Sequence, residues 1–501
     1  MPHSIIVIGA GIGGLTAGAL LACRGYDVTV YEQAGVPGGC ASTFRRRGFN
    51  FDVGATQVAG LEPGGIHQRI FAELGIDIPP ATPCDPACAV FLPRETDPIR
   101  VWRNSEKWQV ERQKQFPGSE PFWQLMAKLF RASWNFQGRE PVLPPRNIWD
   151  LWQLISALRL DTFATVPFAL MTVGDALRLY GLANDQRLKT FLNLQLKLYS
   201  QVNADETALL YAATALAVSQ APQGLYHFHG SMQVLSDCLV KALEKHGGKL
   251  KLGYSIEQIH PQNNHVEQVT IRHHKTGETR TETADHVVAN VTVQNLIKLL
   301  DVSPSFFWTL YQNRVEKLPR PSGAFVVYLG VYRQAIPDKY FPHLQFLYDD
   351  NKPISENNSL FISVSEPGDG RAPNGQATII ASSFTDPQIW FDKTPKAYRA
   401  LKRRYTSEAI ARLSSYFCLT PDTLIHQEAA TPCTFARFTA RAKGIVGGVG
   451  QRVSTFGPFG IATRTPLNNL WLVGDSTHPG EGTAGVSYSA STVVRQIEMS
   501  Q

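Results

Sequence analysis

The stretch "SIIVIGAGIGGLTAGALLACRGYDVTVYE", residues 4–32, restricts what this chain can fold into more than any other part of it. A short apolar run leads into glycines at 9, 11 and 14, a helical pattern follows from Gly13 to about Cys23, and a second β-rich run closes on Glu32. This is the pattern of a strand, a tight turn, a helix and a parallel strand. Gly9 permits the turn, Gly11 lets a pyrophosphate approach the backbone, and Gly14 lets helix and strand pack closely. The helix N-terminus faces the phosphates, and Glu32 can accept hydrogen bonds from ribose hydroxyls. The motif therefore predicts a Rossmann-type α/β domain holding a dinucleotide. An acid at position 32 suits an adenosine ribose without a 2′-phosphate, which leaves NAD and FAD both open.

The chain has 501 residues, more than one core usually serves, so two domains, which can interleave, are expected. Residues 76 to about 205 read as Trp- and Phe-rich helices and loops, an insertion. A helix from Leu235 to Lys245 and the strands of "GGKLKLGYSIEQI", "VEQVTIRHH" and "TETADHVVAN" come next. After Asn290 the chain leaves again through "SGAFVVYLGVYR" and "SLFISVSEP", strands of a mixed sheet, and near 435 it returns to end in "LWLVGD" and a helix. The expected organisation is a discontinuous cofactor domain (1–75, 225–295, 435–501) and a substrate domain of mixed β-sheet and helices (76–224, 296–434).

Hydrophobic residues make up 43% and charged residues 18%, which tilts the reading toward a large apolar cavity or membrane contact. The net charge of +6 is scattered apart from Arg45–Arg47 and Lys402–Arg404. That argues against nucleic acid and leaves a mild attraction to an anionic lipid surface. Seven cysteines without a CxxC point to a reducing compartment, with Cys84 and Cys88 as ordinary thiols. No charged n-region or cleavable apolar stretch precedes the first strand, so no signal peptide is expected. Residues 163–174 and 206–219 fall short of the about 20 apolar residues of a spanning helix, so no transmembrane segment is expected either.

A second glycine-rich segment, "PGGCASTFRRRGFNFDVGAT" (37–56), could wrap a longer, bent cofactor than NAD. Together with the opening motif, "GSMQVLSDCLVKALEKHGGKLKLGYSIEQI" and "WLVGDSTHPGEGTAGVSYSA", it resembles the carotenoid desaturase and isomerase family of the flavin amine-oxidase superfamily. The resemblance covers both ends and the middle of the chain in order. Within that family "GDSTHPGEGTAGV" is most similar to cyanobacterial carotenoid 3′,4′-desaturases. The resemblance implies FAD as cofactor. Glu32 would bind the adenosine ribose, and Gly38, Gly39 and Arg45 would line the path to the flavin, with Arg46 or Arg47 able to take the place of Arg45. Gly54 and Thr56 would lie beneath the ring, and the backbone near Ile256 would touch adenine. Asp475, after Gly474, would hold the ribityl and pyrophosphate region, and Gly485 and Val486 would meet the flavin at the start of a helix whose positive end faces it.

The resemblance also implies an apolar carotenoid substrate, a new double bond made by hydride transfer to flavin N5, and an electron acceptor such as oxygen or a quinone. Glu481 and His478 are the candidate proton-handling groups. The segment "RNIWDLWQLISALRLDTFATVPFALM", flanked by Arg146 and Arg159, fits either a helix lying in a membrane surface, through which a lipid-dissolved substrate enters, or an interdomain core helix. The first reading places the protein peripherally on the cytoplasmic side of a membrane. His227 and His229 would share a face of an extended strand, too few ligands for a metal site. A carotenoid cis–trans isomerase using reduced FAD and a non-catalytic lipid carrier are the competing readings.

Overall fold

A computed structural model of the chain describes residues 3–300 and 306–500. At its centre is a parallel five-stranded sheet in the spatial order Leu470–Leu472, His286–Ala289, Ser4–Ile8, Asp27–Glu32, Lys249–Leu252. Alternation along Ser4–Ile8 explains why its apolar run is unbroken: Ile5 and Val7 face one layer, Ile6 and Ile8 the other, and both layers are covered. One cover is helical, with Ile12–Cys23 between Gln233–Lys245 and Thr483–Glu498. The other is an antiparallel meander, Tyr254–Gln262, His265–His273 and Thr279–Glu282, which contributes Ile256, Ile259 and Ile271. The last helix belongs to the helical layer because its Ala490, Val493, Val494 and Ile497 share a core with Leu15 and Leu20 of the first.

A second, seven-stranded mixed sheet runs Leu424–Ala430, Gly323–Tyr332, Gln376–Thr385, Ser359–Val364, His343–Leu347, Cys88–Phe91, Ile99–Val101. Helix Pro395–Leu413 buries Tyr405, Ala409 and Leu413 against it. The helices Glu120–Gly138, Gln186–Ser200 and Leu209–Ala217 form a further core with Cys88, Val90 and Ile99. Two sequence expectations change here. Residues 76–205 are not wholly helices and loops, because Cys88–Phe91 and Ile99–Val101 complete the edge of the second sheet, Cys88–Phe91 pairing parallel to His343–Leu347. Segment "TETADHVVAN" is two strands, one ending the meander and one in the parallel sheet. The seven cysteines are free thiols.

Candidate active site

The turn after the first strand is built by close contacts. Gly9 has φ +91°, and its amide donates to the Tyr31 carbonyl at 2.8 Å. A Cβ on Gly14 would stand 2.1 Å from the Gly9 carbonyl oxygen, so any side chain there would push helix and strand apart. Asn290, at the end of its strand, donates from Nδ2 to the Gly9 carbonyl at 3.3 Å and fills the space beside Gly11 and Gly13. Glu32 is 8% exposed and closes the turn from the other side. Its Oε2 accepts from the Ala10 amide at 2.7 Å and its Oε1 from the Ala34 amide at 2.8 Å. Burial pushes this carboxyl above the usual carboxylate range, against the pull of those amides.

The turn opens into a cavity of about 1430 Å³, beyond the range of about 300–1,000 Å³ that holds one small ligand. It has room for a dinucleotide and a second molecule. Its wall takes in Gly9, Gly11, Glu32, Gly38, Gly39, Gly54, Thr56, Ile256, Gly474, Asp475, His478, Glu481, Gly485 and Val486. Gly14 lies beneath the wall, in the helix–strand contact. Arg45 is not brought to it. The hairpin Thr43–Arg46 with Phe49–Asp52 pairs Arg45 with Asn50, and Arg45 Nε donates to Asn50 Oδ1 at 2.9 Å on the exposed side. Neither alternative replaces it, since Arg46 pairs with Glu428 and Arg47 donates to the Ile425 carbonyl.

The C-terminal segment supplies a further part of the wall, with Gly474 beside Gly13. Gly474, with φ +110°, donates its amide to Ser489 Oγ at 3.0 Å, and the last helix starts at Thr483. Glu481 is half-buried on the wall, with Oε2 accepting from Gln201 Nε2 at 3.0 Å and a buried Oε1 without a hydrogen-bond partner among the described residues. Burial, with the Asp475 charge adding to it, pushes this carboxyl up to about 8, so it holds a proton at neutral pH. His478 lies between the Phe456 and Tyr488 rings. Its Nε2 accepts from Gln137 Nε2 at 2.8 Å, and burial lowers it to about 4, so it is neutral.

His227 and His229 diverge. The strand Tyr226–Phe228 ends before His229, and His227 is buried, donating from Nδ1 to the Thr56 carbonyl at 2.9 Å. His229 lies at the surface against Thr82 Oγ1. Among the described residues no group of three or more His, Cys, Asp or Glu side chains could hold a metal ion.

Asn290, Gln201, Lys197 and Arg441 are among the wall residues that carry no motif in the sequence. Asn290 alone had a signal, standing at the carboxyl end of a strand where parallel sheets bind ligands. The glycines and acids present fit a dinucleotide: the turn leaves no room for side chains at its close contacts, an acid closes its far end, and wall residues from both ends of the chain meet around the cavity.

Fold and cavity together fit an enzyme that binds a dinucleotide beside a second ligand in the same cavity. Residues 12–497 match the family described as flavin containing amine oxidoreductase, and the chain belongs to that family. It is a flavin-dependent oxidoreductase, and curated proteins similar to it along nearly its whole length are named as carotenoid isomerases and desaturases. Prolycopene isomerase 1 of an Oncidium hybrid cultivar is 26% identical over 99% of this chain and 84% of its own length. The zeta-carotene-forming phytoene desaturase of Myxococcus xanthus is 25% identical over 98% of this chain and 93% of its own. Among solved structures, cyclohexylamine oxidase from Brevibacterium oxydans superposes with a TM-score of 0.60 at 14% identity, covering 99% of this chain and 100% of that one, a likeness of fold.

Proposed function

We propose that the protein is an FAD-dependent desaturase that introduces a carbon–carbon double bond near one end of an acyclic or monocyclic carotenoid, by 3′,4′-desaturation. The observation that carries this reading is the extent of the cavity. Its wall runs from the glycine turn and Glu32, past Glu481, to Leu154, Leu158 and Ala169. On the far side of that last stretch the surface is apolar: Ile148 is 88% and Trp152 63% exposed, and Leu151, Ile155, Leu160, Phe163, Val166 and Leu170 are exposed around them. A helix with one apolar side in a cavity and another in water is built to meet a lipid surface, and the exposed Arg146 and Arg159 beside it suit anionic headgroups. Among the described residues no helix is long and apolar enough to cross a membrane.

Bound flavin would supply the hydride acceptor. The chain's own contribution is alignment and proton handling. Apolar walls hold a charge-free polyene and keep water out, and conjugation along the polyene spreads the developing positive charge. Glu481, oriented by the Gln201 amide, is placed to take the proton lost from the neighbouring carbon.

The neutral state of Glu481 at pH 7 gives the isomerase reading its own support, because a protonated acid can donate to a polyene. Extracting carotenoids from a bacterial host that makes acyclic and monocyclic precursors, with and without this protein, decides by mass and retention time. A product lighter by two hydrogens with a red-shifted spectrum is expected. An equal-mass product with altered retention is the isomerase outcome, and unchanged carotenoids with a colourless purified protein would leave the carrier reading.

The double variant Trp152→Glu/Ile155→Glu tests the lipid surface. Flotation with anionic vesicles is expected to fall several-fold, as is turnover of vesicle-dissolved substrate, while flavin content stays unchanged. Undiminished flotation would leave the exposed face without this role.

A further inference from the structure

We propose that Arg441 is the cation that binds the cofactor's phosphates, with Asn295 as the residue that positions it; this rests on the FAD reading above. Arg441 lies on the cavity wall with Gly38, Gly39, Cys40 and Asp475, and its charge acts on both the Cys40 thiol and the Glu481 carboxyl. The Gly11–Gly38 bridge ties this part of the wall to the glycine turn. The wall carries four acids, Glu32, Glu62, Asp475 and Glu481. Its other cations are engaged elsewhere: Lys197 donates to the Gln201 carbonyl, Arg69 pairs with Glu140, and Arg139 with Asp161.

The guanidinium is only partly spent on protein. Nε donates to the Ile445 carbonyl at 2.7 Å, and Nη2 donates to Asp475 Oδ2 at 2.7 Å and to the Gly447 carbonyl. Among the described residues Nη1 meets no acceptor. An arginine has five N–H donors in a planar fork, and the fork matches phosphate oxygens, so the free arm on the wall is a preformed phosphate contact. The three protein contacts fix the direction of that arm.

The backbone around Arg441 is shaped for this placement. Ala440 and Lys443 have φ of +55° and +52°, a left-handed conformation that non-glycine residues hold only where the surroundings impose it. Asn295 imposes it. Its Nδ2 donates to the Ala440 carbonyl at 2.7 Å and its Oδ1 accepts the Ala442 amide at 2.8 Å, clamping the chain on both sides of Arg441. Asn295 is held in turn by Thr292 Oγ1, which donates to its Oδ1 at 2.6 Å.

The test is flavin titration of stripped protein by fluorescence, with FAD and with riboflavin, which lacks phosphate. Arg441→Gln is expected to weaken FAD binding by about ten- to a hundredfold while leaving riboflavin binding unchanged. Arg441→Lys should recover part of the loss, and Asn295→Ala should shift FAD affinity in the same direction by less. Equal FAD affinity in Arg441→Gln, or parallel losses for FAD and riboflavin, would overturn the proposal. If Arg441→Gln does not fold, the lysine and Asn295 variants decide on the same two titrations. A wild-type protein that binds no FAD removes the cofactor reading and this inference with it, whereas wild-type binding with an unaffected variant removes the inference alone.

Discussion

Glu32→Arg is expected to give a colourless protein without turnover. The two oxygens of Glu32 are the acceptors for the Ala10 amide, in the turn between first strand and first helix, and the Ala34 amide, just past the second strand. Arginine offers no acceptor, so both amides lose a partner inside the protein, and a cation stands where ribose hydroxyls need an acceptor. The combined effect should weaken FAD binding by at least about a hundredfold. Glu32→Gln, which keeps one acceptor oxygen, should fall in between. The ratio of flavin to protein absorbance after purification reads the effect directly. Full flavin occupancy and normal turnover in Glu32→Arg would remove the adenosine-ribose assignment.

Glu32 was legible because its position follows from local pattern: a strand of known phase, ending beside a glycine turn, sets where an acid must point. Arg45 shows where such reasoning fails. It is close in sequence to the glycines that line the cavity, but the hairpin pleat sends Phe44 inward against Phe51 and Tyr328 and turns Arg45 outward. Nothing in a three-arginine run says which parity faces the ligand. The cation that does reach the wall, Arg441, comes from a segment without a motif, and it arrives through Asn295, far off in sequence. Strands Cys88–Phe91 and Ile99–Val101 were hidden for a related reason, since runs this short show no readable alternation and take their identity from the sheet edge they join. The pair His227 and His229 looked like one face of a strand, yet the strand stops between them and Gly230, at φ +99°, redirects the chain.

The variant Glu481→Gln should cut turnover by about 10²–10⁴-fold, the usual worth of a positioned proton-transfer group, while flavin content stays normal. Its pH dependence separates the two chemistries that this cavity could serve. With the carboxyl raised from 4.5 to about 8 by burial, a base that must be ionised to accept a proton gives a wild-type kcat that climbs as pH rises through about 8. An acid that must be protonated to donate gives one that falls over the same interval. Desaturation requires the first and isomerisation the second.

The same group sets a stability signature of known sign. Between pH 4.5 and about 8 the folded chain binds the Glu481 proton and the unfolded chain has released it, so the contribution of this group to stability declines as pH rises across that window and is flat above it. Glu481→Gln, neutral throughout, removes that slope as well as the kinetic limb. A variant that loses the thermal-stability slope yet keeps the wild-type rate and pH profile would confine Glu481 to holding the loop through Gln201, and proton removal would then fall to another group on the same wall, with Glu62 next in line: buried, raised above the usual carboxylate range by that burial, and with Oε2 unpartnered among the described residues.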